Sequence, residues 1–169
     1  MCEIAVLGLG TNKAFGSLSG QDLLAEACKA LSLVLSGMKK SSVYRTKPMY
    51  VVDQPDFFNM VVAGEFEGSA ADLLLKIHEI EAQFGRNRAK EIRFGQRTLD
   101  IDIELFGSQK ISSDLLEIPH PRLLERDFVL VPLVELLKNG AVSVPNSEIY
   151  IDALAKRGVA NAEKIEAEK

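Results

Sequence analysis

An α+β domain is predicted for this 169-residue chain by three features of its sequence. Segments of buried or alternating strand character recur four times. Two stretches with apolar residues at helical spacing separate them, in the order strand–helix–strand–strand–helix–strand. Gly, Pro, Asn and Asp punctuate the joins. That order is the split βαβ, ferredoxin-like pattern (βαββαβ), an antiparallel sheet with its helices packed on one face.

Residues 3–8 read as a buried strand ending in a Gly-rich turn, Gly8-Leu9-Gly10-Thr11-Asn12. Residues 21–36 carry Leu24, Ala27, Cys28, Leu31, Val34 and Leu35 on one helical stripe, with Gly37 as the stop. Residues 40–46 and 57–67 read as two strands joined by a Pro-containing loop. Ser69, with Asp72 three positions on, opens a second helix through Leu73, Ile77, Ile80 and Phe84, closed by Gly85. Residues 98–106 alternate strictly and form the fourth strand. Two short helices are expected after it, at residues 122–137 and 151–155. They complete one domain over residues 1–157, and residues 158–169 are expected as a solvated tail.

Hydrophobic residues make up 47% and charged residues 26%, a balance that excludes a disordered chain. A net charge of −4 argues against binding nucleic acid through the overall field. The apolar runs fall short of the roughly 20 residues that a spanning helix needs. Cys2 and Cys28 are too few for a disulfide framework or a zinc site. The first residues show no basic region followed by an apolar run. A cytoplasmic monomer acting on small molecules, with no nucleic-acid or membrane partner, is expected.

The sharpest chemical feature is Leu99-Asp100-Ile101-Asp102-Ile103-Glu104-Leu105. Alternation points Leu99, Ile101, Ile103 and Leu105 into the core and Asp100, Asp102 and Glu104 outward together. Stacked acids without interleaved lysine repel one another on a plain solvent face. They suit a hard divalent cation such as Mg²⁺, which keeps waters and takes up phosphate oxygens. Arg86, Arg88, Lys90, Arg93 and Arg97 immediately precede them, and arginine forks hold phosphates bidentately. No P-loop, dinucleotide fingerprint or protein-kinase signature is present. Phe57 and Asn59 share a strand face, which suits a flat heterocycle: the ring stacks and the amide reads an edge. His120 with Arg126 is a candidate phosphate contact, and His78 with Glu81, one helical turn apart, a candidate nucleotide-pocket edge. A non-enzymatic ferredoxin-like module that binds a small molecule or single-stranded RNA is the alternative from another class.

Arg97-Thr98-Leu99-Asp100-Ile101-Asp102-Ile103 with Leu105-Phe106-Gly107 resembles the signature of the 6-hydroxymethyl-7,8-dihydropterin pyrophosphokinase family. Gly10-Thr11-Asn12, Ser42-Val43-Tyr44-Arg45-Thr46, the run from Asp53 to Asn59, Gly85-Arg86-Asn87-Arg88 and Ile118-Pro119-His120 follow in the same order and spacing. The resemblance implies transfer of pyrophosphate from ATP to the pterin hydroxymethyl oxygen, releasing AMP, with two Mg²⁺ ions. It implies Asp100 and Asp102 as metal ligands, and Arg86 and Arg97 with them as catalytic residues. It assigns ATP to His78, Glu81, Arg88, Arg93, Ile103, His120 and Arg126, and the pterin to Thr46, Pro48, Phe57, Asn59 and Phe128. Phe57 stands where the family often has Tyr, Phe94 where Trp is common and Lys47 where a second Pro is common.

Overall fold

A computed structural model describes residues 2–49, 52–90, 95–158 and 161–165. Strand β1 (Cys2–Thr11) is followed by helix α1 (Gly20–Leu31), strands β2 (Ser36–Lys40), β3 (Val43–Thr46) and β4 (Phe57–Glu67), and helix α2 (Ala70–Gln83). Strand β5 (Asp100–Phe106), a small hairpin of β6 (Ile111–Ser112) and β7 (Glu117–Ile118), helices α3 (Asp127–Lys138) and α4 (Ser147–Arg157), and strand β8 (Glu163–Ile165) complete the chain. The main sheet runs β5-β1-β4-β3-β8, with β2 also on β4, and its recorded pairs are antiparallel. The expected α+β, ferredoxin-like core is present.

Alternation along the central strands sends side chains to two cores. Ala5, Leu7 and Leu9 of β1, with Met60 and Val62 of β4, face α1 and α2. Val6, Val61 and Ala63 face the other way, onto Val129, Leu130, Leu133 and Val134 of α3. Helices therefore cover both faces: α1 and α2 lie on one, as expected, and the C-terminal pair closes the other. A strand buried on both sides reads as a near-continuous apolar run, which is what residues 60–63 show.

Several boundaries differ from the sequence reading, each for a local reason. The glycines expected as a turn after residue 8 lie inside β1, where Gly8 and Gly10 pair with both neighbouring strands. Helix α1 stops at Leu31 because the next amides turn back onto Cys28, Ala30 and Leu31, and Ser32 Oγ donates to the Lys29 carbonyl. Gly37 is no helix stop; it sits in β2 with φ of 59°, within a register shift between Ser36 and Lys39. The strand expected over residues 40–46 is broken at Ser41. There the hydroxyl accepts the Val61 amide at 3.0 Å in place of a backbone carbonyl. Helix α2 opens on the expected reciprocal cap between Ser69 and Asp72.

On β5, the pairing with β1 shifts register between Val6 and Leu7, so Glu104 is an extra, bulged residue. Leu105 consequently leaves the face of Leu99, Ile101 and Ile103 and packs against α3, while Phe106 joins the α1–α2 core. The segment expected as a solvated tail includes β8, which pairs with β3 through Val43, Tyr44 and Arg45.

Candidate active site

The site forms on the α3 side of the sheet, where four neighbouring strands end. Register places Asp100 beside Gly10, Gly10 beside Asn59, and Asn59 beside Tyr44; Asp102 lies beside Gly8. Alternation then puts Asp100, Asp102, Asn59, Phe57 and Thr46 on one face. The two glycines keep that floor open. A Cβ on Gly10 would stand 3.0 Å from Asn59 Oδ1, and one on Gly8 would stand 2.9 Å from Glu104 Oε1. Asn59 is buried, and its Nδ2 donates to Thr46 Oγ1 at 2.7 Å, which fixes the outward edge of the amide.

One cavity is lined by Thr46, Phe57, Asn59, Arg97, Asp100, Asp102, Arg126 and Phe128. Eight of the sequence-selected residues thus converge on a single space. Lys47, Met49, Gln54 and Gly95 also line it; the sequence reading assigned none of them to a ligand. Pro48, half-buried between Lys47 and Met49, is not part of that lining among the described residues. Arg93 and Phe94 lie outside the described residues.

The acids and arginines interlock. Asp100 accepts Arg86 Nη1 and Arg97 Nη1, each at 2.5 Å, one on each oxygen. Burial opposes ionisation at Asp100, but the two guanidiniums outweigh it and hold its pKa below the ordinary carboxylate value. Among the described residues, Asp102 accepts only the longer contact from Arg126 Nη1, 3.2 Å. Burial and the neighbouring Asp100 charge, incompletely offset by Arg126, push Asp102 up to about 6. The pair thus divides into one firmly ionised carboxylate and one poised carboxylate.

Glu81, expected at a nucleotide-pocket edge, lies inside the protein with 1% exposure. Its Oε1 accepts the Ile101 amide at 2.8 Å and an Arg86 Nη1 bond; its Oε2 accepts Arg88 Nε and Nη2 at 3.0 and 2.6 Å. It acts through the two arginines it holds and through the outer edge of β5. His78 lies one turn earlier on α2, partly buried, and its pKa is lowered by burial and then by Arg88 and Arg86. Ile103 is in the α1–α2 core, not on the face of the aspartates.

His120 accepts the Arg122 amide on Nδ1 at 3.1 Å, and its Nε2 lies 3.4 Å from Arg126 Nη1. Burial and Arg126 depress its pKa to about 4, so the ring is neutral at pH 7. The Arg126 guanidinium also stands over the Phe128 ring, 5.5 Å from its centroid. Glu104, expected to point outward with the aspartates, is wholly buried. Burial, then Asp102, raises its pKa well above the ordinary value. The signal for this was absent from the strand pattern, because the bulge that buries it is set by β1. Arg97 Nε, Arg126 Nε and both Glu104 oxygens are buried without a partner among the described residues.

The donor set fits a hard divalent cation. Two carboxylates two residues apart face one cavity, and no cluster of three metal-ligating side chains occurs among the described residues. Such a site leaves coordination positions for water and phosphate oxygens, the form Mg²⁺ takes in phosphate chemistry.

Fold, paired carboxylates and arginine cluster describe an α+β domain whose cavity carries the charges that suit phosphate groups. Residues 6–138 match the family model described as 7,8-dihydro-6-hydroxymethylpterin-pyrophosphokinase (HPPK), and the chain belongs to that family. It is 41% identical over 131 residues to the 2-amino-4-hydroxy-6-hydroxymethyldihydropteridine pyrophosphokinase of Haemophilus influenzae, covering 76% of this chain and 79% of that one. It is 42% identical over 115 residues to a folate synthesis bifunctional protein of Arabidopsis thaliana, covering 68% of this chain and 23% of that protein. The chain thus spans about a quarter of such bifunctional relatives. The fold matches a Plasmodium falciparum HPPK-DHPS crystal structure with pterin and p-hydroxybenzoate. The TM-score is 0.66 at 16% identity, over 99% of this chain and 47% of that one.

Proposed function

We propose that this chain transfers the terminal diphosphate of ATP to the hydroxymethyl oxygen of 6-hydroxymethyl-7,8-dihydropterin in folate biosynthesis. The oxygen attacks the β-phosphorus, the bond from that phosphorus to the oxygen bridging it to the α-phosphorus breaks, and AMP leaves; the hydroxyl proton is lost to solvent. The carrying observation is that one cavity holds both halves of the chemistry. Its lining joins Phe57, Phe128, Asn59 and Thr46, suited to a flat ring, to Asp100, Asp102 and Arg97.

Phe57 and Phe128 offer ring faces to the pterin. Asn59, held by Thr46, presents the rest of its amide to the heterocycle edge. Asp100 and Asp102 would hold two Mg²⁺ ions, which when bound neutralise phosphate charge and favour loss of the hydroxyl proton. Arg97, with its Nε lacking an acceptor among the described residues, and half-exposed Arg88 supply donors to phosphate oxygens. Arg86, whose Nη1 bonds both Glu81 and Asp100, keeps Asp100 ionised and oriented. Neutral His120 offers an Nε2 proton near Arg126.

The described residues contain no helix long and apolar enough to cross a membrane. The reading carries with it a cytoplasmic monomer with small-molecule substrates, which light scattering and cell fractionation test. The deciding assay supplies ATP, Mg²⁺ and the hydroxymethyl dihydropterin and follows AMP. AMP formation that requires the pterin, and that Asp100→Ala and Asp102→Ala each reduce by orders of magnitude, is the expected result. Near-full activity in either variant overturns the metal assignment, and absence of pterin-dependent AMP overturns the function.

A further inference from the structure

Beneath the aspartates lies a carboxyl that the proposed chemistry does not use. Glu104 is the bulged residue of β5, wholly buried, with both oxygens lacking a donor among the described residues. Space for it is built into the neighbouring strand, since any Cβ on Gly8 would stand 2.9 Å from Oε1. A buried carboxyl left without partners is expensive, on the order of a few kcal/mol for an unmet polar group. An unmet buried group calls for an explanation, and one is a partner that arrives in another state of the site.

Arg126 is the complementary group. Its guanidinium spends Nη1 on Asp102 at 3.2 Å, while its Nε is buried and has no partner among the described residues. The cavity lined by Asp102 and Arg126 adjoins the one lined by Asp102 and Glu104; Phe57, Asn59, Asp100 and Phe128 border both. A divalent cation taken up by Asp102 competes directly with Arg126 for the same carboxylate, and like charges in a low-dielectric site separate. The displaced guanidinium then needs a second acceptor within the protein.

We propose that Glu104 is that acceptor: it is a positioning residue that receives Arg126 when Asp102 takes up a divalent cation, so that cation binding re-aims Arg126. This inference rests on the reading of Asp100 and Asp102 as the metal pair, and its test separates the two. Mn²⁺ binding is measured by calorimetry and electron paramagnetic resonance, without nucleotide or pterin, on the whole chain. Glu104→Met removes both acceptors at similar volume and raises the Mn²⁺ dissociation constant about fivefold, within the range of coupling between neighbours. Glu104→Gln keeps one oxygen and falls between wild type and Glu104→Met; it also serves should the methionine variant fail to fold. Arg126→Ala alone tightens Mn²⁺ binding, and adding Glu104→Met to it changes the constant by less than about twofold. Unchanged affinity in both Glu104 variants overturns the proposal. So does a loss that persists undiminished in the Arg126→Ala background, which places Glu104 on the cation itself. Failure of wild type to bind Mn²⁺ at all, or binding indifferent to Asp100→Ala and Asp102→Ala, instead overturns the metal reading.

Discussion

Asp102 and His120 sit within reach of one arginine, yet their protonation responds to burial in opposite ways. His120 has a pKa of about 4 in the folded chain against an ordinary 6.5. Between those values the unfolded chain binds a proton that the folded one does not, so this contribution is whole above pH 6.5 and is lost toward pH 4. Asp102 has a folded value of about 6 against an ordinary 3.8. The folded chain there holds the extra proton, so stability is gained as pH falls through 6. Urea unfolding of the cation-free protein at a series of pH values between 4 and 7 should therefore separate two variants. Relative to wild type, His120→Asn should gain stability as the pH falls and Asp102→Asn should lose it; parallel curves would refute both assignments. At this scale the sequence showed Asp100 with Asp102, and Phe57 with Asn59, because alternation puts each pair on one face of its own strand; the register through β1 is what joins the two pairs. It hid the burial of Glu81 and Glu104. A glutamate at a helix edge and a third acid in a strand look solvent-facing until Arg86, Arg88 and the β5 bulge are placed around them.

Helix α2 acts on the site through Glu81, which ties a helix, two arginines and the outer edge of β5 with one carboxylate. Breaking a buried ion pair from one side costs roughly 3–5 kcal/mol. Glu81→Gln should cost less, about 2 kcal/mol, because Arg86 keeps Asp100, Arg88 is half-exposed and the amide oxygen still serves Ile101. Denaturant unfolding reads this loss, and ATP-dependent turnover should fall with it as Arg86 and Arg88 lose their shared anchor. Central strand β1 makes a different contribution, by what it lacks. Gly10→Ala would press on Asn59 Oδ1, which cannot simply swing away while its Nδ2 is held by Thr46. Pterin binding should weaken about tenfold, ~1.4 kcal/mol, with ATP binding little changed. Equal losses for both ligands would point to a distorted strand instead. The elements themselves were legible where a local signal determines them, as the Ser69–Asp72 cap does for α2. The β2–β3 break was not, since a serine hydroxyl standing in for a backbone carbonyl leaves no mark on hydrophobic pattern.

Across the whole molecule, the site lies between the sheet and α3, away from the α1–α2 core, so its geometry depends on how the second layer and the sheet edge are fastened. Glu135 of α3 does part of this, accepting Tyr44 Oη at 2.6 Å and the Ser42 amide and hydroxyl at 3.1 and 2.9 Å. Strand β8 does the rest, covering β3 on its outer side. The Arg45–Glu163 pair that accompanies it is largely exposed and adds little. The main contribution of β8 is to occupy a strand edge, and β3 carries the Thr46 hydroxyl that orients Asn59. A chain ending at residue 158 should therefore fold with its two cores intact, because β8 supplies no side chain to the buried set of either. Its pterin dissociation constant should rise a few-fold while ATP affinity holds, and the bared β3 edge should promote self-association at high concentration. Fluorescence titration with each ligand and light scattering measure these outcomes. Unaltered pterin binding in a monomeric truncated chain would show that β4 and α3 alone hold Thr46 in place.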